Sequence, residues 1–241
     1  MSQQTFARYE YKYRISSQQY AHLKLAMASH MKLDQFGKHT INNIYFDTAD
    51  FLLIRRSLEK PVYKEKLRVR WYGARTDKTP IYIELKKKYK GVVYKRRIKR
   101  SWGETRGYFE QQLPLPQNEE GQITKELDYF MDFYQNLAPA LFLGYEREAY
   151  YGVENKDFRM TFDGNIRCEQ SDIYQQENNG GTRVIGRDEV LLEVKTGEGL
   201  PSWLLEFFAQ EKIYRSSFSK YGTAYREILL PKSLGGDSAI A

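Results

Sequence analysis

Charged and aromatic residues alternate in the segment RYEYKYR at residues 8–14, and this is the first pattern in the sequence that could support chemistry. Arg8, Glu10, Lys12 and Arg14 are separated by single tyrosines. Successive side chains of a β-strand point to opposite faces, so a strand here would carry its charges on one face and its aromatic rings on the other. Such a charged face either meets water or binds an ionic ligand.

The same alternation recurs in several later segments with strand character. Residues that would share a charged face are Lys64, Lys66, Arg68 and Arg70; Glu84, Lys86 and Lys88; Lys95, Arg97 and Lys99; Tyr145 and Arg147; Arg159, Thr161 and Asp163; and Glu193 and Lys195. A single face of this kind is usually the wet face of an antiparallel sheet. Together, however, the faces are rich in cations and poor in acids, and like charges on neighbouring strands destabilise a sheet. The set therefore favours a face that binds an anion, phosphate above all, because arginine binds phosphate in a bidentate manner.

The main carboxylates on these faces are Glu10, Glu84 and Glu193. Mg²⁺ and Mn²⁺ prefer oxygen ligands, and Mg²⁺ typically combines one or two carboxylates with substrate phosphates. Glu193 is the best candidate ligand, because its neighbours Leu192 and Val194 are apolar. Glu10 and Glu84 remain open: each could activate water or balance a nearby cation, and Glu10 could also help to hold the metal.

Composition and charge narrow the classes of function. The 241-residue chain is 41% hydrophobic and 15% aromatic, enough for a packed core. Its formal charge of +7 favours polyanionic partners such as phosphates, nucleic acid or membrane headgroups. A single cysteine, Cys168, excludes an internal disulfide and suits a reducing compartment. No signal-peptide pattern or membrane-length apolar run is visible, so we expect a cytoplasmic protein without a transmembrane segment.

Helix and strand patterns predict an α+β protein. The predicted helices are residues 16–31, 122–138, 200–210 and 217–230. Beyond the opening segment, the predicted strands are residues 41–48, 51–59, 62–73, 140–152, 157–169 and 188–197, with a hairpin that turns at Gly91 within residues 81–102. Residues 111–121 and 175–182 are predicted loops. The pattern fits one domain built on a large antiparallel sheet or a closed barrel.

Taken in order along the chain, these residues resemble the VTC domain, the polyphosphate polymerase module of the vacuolar transporter chaperone family. That domain belongs to the wider triphosphate tunnel, or CYTH-like, group. The resemblance runs from RYEYKYR to SFSKYGTAY and covers almost the whole chain. It implies a closed antiparallel β-barrel, the triphosphate tunnel fold, with helices packed outside, in one domain over residues 1–231 followed by a flexible tail at residues 232–241.

The resemblance also implies a role for individual residues. It places Lys12, Arg68, Arg70, Lys86, Arg147, Arg159 and Glu193 in catalysis and Lys95, Tyr145, Ser219 and Lys220 in substrate binding. Glu193 would bind Mn²⁺ or Mg²⁺, and Glu10 is the second candidate ligand. Two positions depart from the family pattern. Ser217 stands where eukaryotic relatives carry a lysine, and Glu10 is similar to the E-x-K element of the triphosphatase branch.

The implied function is a metal-dependent polyphosphate polymerase that transfers the γ-phosphate of ATP to a growing polyphosphate chain in a basic tunnel. A triphosphatase acting on inorganic triphosphate or nucleoside triphosphate, or a non-catalytic polyphosphate-binding module, remains the alternative. A triphosphatase would need Glu10 or Glu84 to activate water. Nucleic acid is not expected, because the tyrosines lie opposite the charges. A membrane-protein partner is expected only if the activity is coupled to transport.

Overall fold

The computed structural model describes residues 9–76, 78–90, 92–116, 121–170 and 181–231. In these residues the strands are β1 (Tyr9–Ser16), β2 (Met31–Leu33), β3 (His39–Asp47), β4 (Tyr63–Tyr72), β5 (Ile81–Tyr89), β6 (Val92–Arg100), β7 (Ala138–Gly152), β8 (Arg159–Glu169), β9 (Thr182–Arg183) and β10 (Glu189–Thr196). The helices are α1 (Ser17–Ala26), α2 (Leu52–Leu58), α3 (Trp102–Gln111), α4 (Gly121–Tyr134), α5 (Ser202–Gln210) and α6 (Lys220–Ala224), which continues as a π-helix over Tyr225–Leu229. Arg8, the turn at Gly91, most of the 175–182 loop and the tail at 232–241 lie outside the described residues.

The chain divides into two compact units. The first comprises Met1–His39, Tyr145–Ile166 and Ile185–Ser219, and the second comprises Thr40–Gly144, Arg167–Val184 and Lys220–Ala241. Strands β7 and β8 each contribute residues to both units. The single tunnel domain over residues 1–231 stays a prediction.

The first unit contains the opening segment as strand β1, which pairs antiparallel with β10, as β10 does with β8. The alternation works as predicted: Tyr13 is buried against Phe208, with ring centroids 4.4 Å apart, while Lys12 and Arg14 point to the other face. Helix α1 begins as expected at a Ser16 cap but ends at Ala26. It ends early because residues 31–33 form β2 and pair with β7.

The second unit contains β3, β4, β5 and β6, paired antiparallel in that order. Alternate residues of β4, including Leu67, Val69 and Trp71, are buried beneath α3 and α4. Helix α4 was predicted, whereas α3 was not. A capping box between Ser101 and Glu104 starts α3 directly after β6.

The strand predicted at residues 51–59 is wrong, because this segment forms α2. The side chains before the helix satisfy its first N–H groups. The Asp47 carboxylate accepts from Leu53 N at 2.8 Å and Ile54 N at 3.0 Å, and the Thr48 hydroxyl accepts from Leu52 N at 2.9 Å. These contacts supply the partners that a helix N-terminus lacks and favour a helix over a strand.

The antiparallel sheet with packed helices is confirmed, but the closed barrel is wrong. Among the described residues, the strand order is an open path in which β1 pairs only with β10 and β6 only with β5. The outer edge of β1 is already used, because the backbone N–H of Ser216 donates to the carbonyl of Lys12 at 2.8 Å. Strand β6 carries exposed charged side chains such as Lys95 and Arg97, and these discourage further pairing at a sheet edge.

Candidate active site

The Glu84 cluster lies in the second unit, on the sheet face opposite its core, and consists of Glu84, Arg68, Arg70, Lys95 and Arg97. Arg68 Nη2 and Lys95 Nζ each lie 2.7 Å from a Glu84 oxygen. Arg97 Nε lies 3.5 Å from Glu84 Oε1, and Arg70 Nε lies 3.9 Å from Glu84 Oε2. Glu84 is only 1% exposed. Four cations therefore surround one carboxylate and leave this face positively charged.

The register of β4, β5 and β6 places further lysines beside this cluster. On the same face, Lys66 lies opposite Lys86, and Lys86 lies opposite Lys95. Like charges in such a row destabilise a sheet, and an anion placed over them relieves the repulsion. The register brings together four residues predicted from the sequence, namely Arg68, Arg70, Lys86 and Lys95.

Glu84 is held in its ionised form. Burial alone would raise the pKa of Glu84, but the neighbouring Arg68, Arg70 and Lys95 outweigh it and lower this pKa from an ordinary 4.5 to about 2. So acidic a carboxylate is a poor acceptor of protons from water. Its position supports charge balance, rather than water activation, as the role of Glu84.

Two residues of β3, missed from the sequence, hold the arginines. Arg70 Nε donates to Asn43 Oδ1 at 2.9 Å, and Arg68 Nη1 donates to the Tyr45 hydroxyl at 3.2 Å. Burial would raise the pKa of Tyr45, yet Arg68 and Arg70 bring it below its ordinary value. In NNIYFD, the polar residues Asn43, Tyr45 and Asp47 are two positions apart, and this strand spacing could have identified them. Asn42, which directly precedes Asn43, is also polar and obscures the alternation of polar and apolar residues.

The Glu193 cluster lies in the first unit and consists of Glu193, Glu10, Lys12, Arg147 and Asp163. Lys12 is opposite Glu193 in the β1–β10 register. Its Nζ lies 3.2 Å from Glu193 Oε1 and 3.3 Å from Glu10 Oε1. The predicted metal carboxylates therefore converge on one point, where a lysine ammonium lies between them.

Arg147 closes the other side of this cluster. It donates to both oxygens of Asp163 at 2.6 Å and to Glu193 Oε2 at 3.3 Å. Burial would lower the pKa of Arg147, but Asp163 raises it well above its ordinary value, so the guanidinium stays charged. The buried ring of Tyr145 has its centroid 5.3 Å from the guanidinium carbon of Arg147. The sequence had placed Asp163 on this face without assigning it a role.

The donor set of the Glu193 cluster fits a divalent cation that arrives with a phosphate ligand. Three carboxylates stand against two cations in the cluster. Within the described ranges, no group of three or more acidic, histidine or cysteine side chains could hold a metal ion alone. Glu193 and Glu10 would supply two oxygen ligands, and phosphate oxygens would supply others, which is the usual mode for Mg²⁺. The buried hydroxyl of Thr161, opposite Glu193 in the β8–β10 register, has no hydrogen-bond partner among the described residues.

The remaining predicted residues lie outside both clusters. Arg159 is exposed at the start of β8, opposite Lys195, and forms no ion pair with the described residues of the Glu193 cluster. Ser219 is the last residue of the first unit, and Lys220 opens α6 in the second. Lys220 lies near enough to Tyr45 to help lower the pKa of that phenol, after burial and the two arginines.

A cavity of about 460 Å³ opens beside Lys12 in the first unit. Its lining residues are Glu10, Lys12, Arg215, Ser216, Ser217 and Phe218. A volume of this size is typical of ligand sites. Ser217, which departs from the family pattern, therefore faces a space shared with two predicted site residues.

The chain is similar to a known protein family and to solved structures. The sequence model of the VTC domain matches residues 7–229. The chain is similar to a proposed adenylate cyclase from Bacillus halodurans, with 15% identity and a TM-score of 0.54 over 91% of this chain and 96% of that one. It is also similar to a proposed adenylyl cyclase from Hippeastrum, whose structure is described as revealing a dominant triphosphatase activity, with 17% identity and a TM-score of 0.55 over 91% of this chain and 95% of that one. Both likenesses show the fold. No curated protein matches the chain significantly. No helix in the described parts of the chain is long and apolar enough to cross a membrane.

Proposed function

The chain belongs to the VTC domain family, and on that premise we propose that it is a metal-dependent polyphosphate polymerase using ATP. The observation that carries the proposal is the Glu84 cluster, with four cations around one buried carboxylate. Phosphoryl transfer depends mainly on positioning and charge neutralisation, and this face offers both. Arg68, Arg70, Lys86 and Lys95 would bind phosphate oxygens of the nucleotide or the chain.

The Glu193 cluster would bind the metal ion. Glu193 and Glu10 would hold Mn²⁺ or Mg²⁺, a cation that would supply charge stabilisation for phosphoryl transfer. Arg147 keeps its charge because Asp163 binds it through both oxygens. Lys12 would exchange its two carboxylate partners for a phosphate oxygen.

Chain extension needs no general base. The attacking oxygen belongs to the terminal phosphate of the growing chain and is already ionised. The low pKa of Glu84, about 2, agrees with a site that carries charge rather than moves protons. This agreement favours extension over hydrolysis as the reaction of the second unit's basic face.

One observation supports the alternative, a triphosphatase. The side chain of Glu10 is 35% exposed and lies beside Lys12, where it could accept a proton from water. The Hippeastrum protein, similar in fold, is itself described as a triphosphatase. Hydrolysis of inorganic triphosphate or nucleoside triphosphate is therefore the second candidate, and polyphosphate binding without turnover is the third.

The products of ATP turnover distinguish these candidates. Purified protein is incubated with ATP and Mn²⁺, and the products are resolved by gel electrophoresis and phosphate assay. A ladder of polyphosphate chains is expected, whereas orthophosphate alone indicates the triphosphatase. Tight polyphosphate binding without any product overturns both enzymatic functions.

A matched pair of arginine variants tests the site. Arg68→Ala removes a cation of the Glu84 cluster and is expected to lower turnover at least about tenfold. Arg106→Ala removes an exposed arginine that pairs with Glu110 on α3, and turnover should stay unchanged. Equal activity of the two variants would exclude this face as the phosphate site.

A further inference from the structure

Three alternate residues of β3 carry polar side chains on the face of the Glu84 cluster. Asn43, Tyr45 and Asp47 are 0%, 7% and 1% exposed. Burying a polar group is costly unless it is hydrogen-bonded. The partners of these three side chains therefore indicate what the strand is built to hold.

Asn43 uses both ends of its amide. Its oxygen accepts from Arg70 Nε at 2.9 Å, and its nitrogen donates to the carbonyl of Leu143 at 3.0 Å. The second bond fixes which end of the amide faces Arg70. Asn43 therefore presents a fixed acceptor to this arginine.

Tyr45 connects the other arginine to α6. Its hydroxyl accepts from Arg68 Nη1 at 3.2 Å, while Arg68 Nε donates to Glu84 at 2.8 Å. The ring of Tyr45 stacks on Tyr221, with centroids 4.7 Å apart and an interplanar angle of 23°. The hydroxyl of Tyr221, the residue after Lys220, donates to Asp47 Oδ2 at 2.9 Å.

Asp47 anchors this chain of contacts. Besides the Tyr221 hydroxyl, its carboxylate accepts from the backbone N–H groups of Leu53 and Ile54 at the start of α2. With both oxygens engaged by buried groups, it has little freedom to turn. The start of α6 and the two arginines are thus tied to one strand.

We propose that Asn43, Tyr45 and Asp47 are positioning residues: Asn43 and Tyr45 orient Arg70 and Arg68 for a linear phosphate chain, and Asp47 holds the ring of Tyr221 against Tyr45. The inference rests on the proposed function, because it takes the basic face as the phosphate site. Free arginine side chains sample many rotamers, and ordering them on binding costs affinity. Side chains held in place beforehand avoid that cost.

The test uses two variants and a matched control in the full chain. Tyr45→Phe removes the hydroxyl that accepts from Arg68 Nη1 and keeps the ring on Tyr221, while Asn43→Ala removes the amide oxygen that accepts from Arg70 Nε. Tyr108→Phe is the control, because it removes a tyrosine hydroxyl that donates to Asp128 at 2.9 Å on α3 and α4, apart from the cluster. Asn43→Asp keeps an oxygen acceptor for Arg70 and is the rescue control for Asn43→Ala. Should the alanine variant fail to fold, Tyr45→Phe against Tyr108→Phe decides the test.

Two readouts separate this inference from the proposed function. The first is tripolyphosphate affinity by calorimetry, for which Tyr45→Phe should weaken binding about fivefold and Tyr108→Phe should not change it. The second is NMR of the ligand-free protein, in which we expect the guanidinium N–H groups of Arg68 and Arg70 to exchange slowly with water. Tyr45→Phe should speed this exchange at Arg68, Asn43→Ala should speed it at Arg70, and Asn43→Asp should keep it slow.

Each outcome has a definite meaning. Slow exchange that is unchanged both in Tyr45→Phe and in Asn43→Ala overturns the positioning role, whatever the protein binds. Fast exchange in the wild type overturns it as well. If the wild type does not bind tripolyphosphate but the variants show the expected exchange pattern, the proposed function is overturned and the positioning role is supported.

Discussion

The Glu84 cluster and the Glu193 cluster are built alike but carry opposite balances of charge. Each centres on a buried glutamate of an antiparallel strand, and at least one basic residue lies directly opposite that glutamate on a paired strand. Counting only the described residues, four cations surround one carboxylate in the Glu84 cluster, whereas three carboxylates accompany two cations in the Glu193 cluster. The first therefore suits an anion and the second suits a cation.

Neighbouring strands, rather than the central glutamate, cause this difference. Strand β5 lies between β4 and β6, so Glu84 has Arg68 on one side and Arg97 on the other. Strand β10 lies between β1 and β8, so Glu193 has Lys12 on one side and the neutral Thr161 on the other. The same alternating pattern thus yields different electrostatics according to which strands are paired.

Glu193→Ala should have the largest effect. If Glu193 binds the metal as proposed, its loss removes several kcal/mol of charge stabilisation, so ATP turnover with Mn²⁺ should fall at least about a hundredfold. The fold should persist, because Asp163 still pairs with Arg147 and Glu10 still pairs with Lys12. Turnover and Mn²⁺ binding, the latter by electron paramagnetic resonance, are the measurements.

A matched glutamate controls for this change. Glu211→Ala removes a carboxylate that pairs with His22 elsewhere in the first unit, and neither measurement should change. If Glu193→Ala kept wild-type Mn²⁺ binding, the two clusters would not divide anion and cation binding between them.

Glu84→Gln should have the next largest effect, on stability. It leaves the four cations of the cluster without their carboxylate, and breaking a buried ion pair from one side costs about 3 kcal/mol or more. Urea denaturation at pH 7 should show this loss in the free energy of unfolding. Tripolyphosphate should restore more stability to the variant than it adds to the wild type, and equal gains would contradict an anion site here.

The strands that carry the two clusters were predicted from the sequence, but the pairing of those strands was not. Alternation placed Arg68, Glu84 and Lys95 on faces opposite the core, and the structure confirms it. The open edge at β1 could not be predicted, because it depends on Ser216, a residue 204 positions from Lys12, occupying that edge. Helix α2 was missed because its caps, Asp47 and Thr48, lie in the predicted preceding strand.

Acid should remove the stability that Glu84 contributes. Because its pKa is lowered from 4.5 to about 2 in the folded protein, the contribution is complete above pH 4.5 and is lost as the pH falls toward 2. The shift corresponds to about 3 kcal/mol. The free energy of unfolding of the wild type should therefore fall toward that of Glu84→Gln across this range, as measured by urea denaturation at several pH values. A constant difference between the two proteins down to pH 2 would show that the fold does not lower the pKa of Glu84.

Ser217→Lys should have the smallest effect. It tests whether an added cation shifts the first unit towards anion binding. Ser217 lines the cavity that also holds Lys12 and Arg215. A third cation there would move this region towards the anion-binding balance of the second unit. We expect long polyphosphate to bind about two- to fivefold more tightly at low salt, because an exposed charge contributes roughly 0.5–1 kcal/mol. The gain should fade at high salt, where exposed charges are screened. Ser217→Gln adds similar length without charge, so an equal gain in that variant would assign the effect to packing rather than to charge.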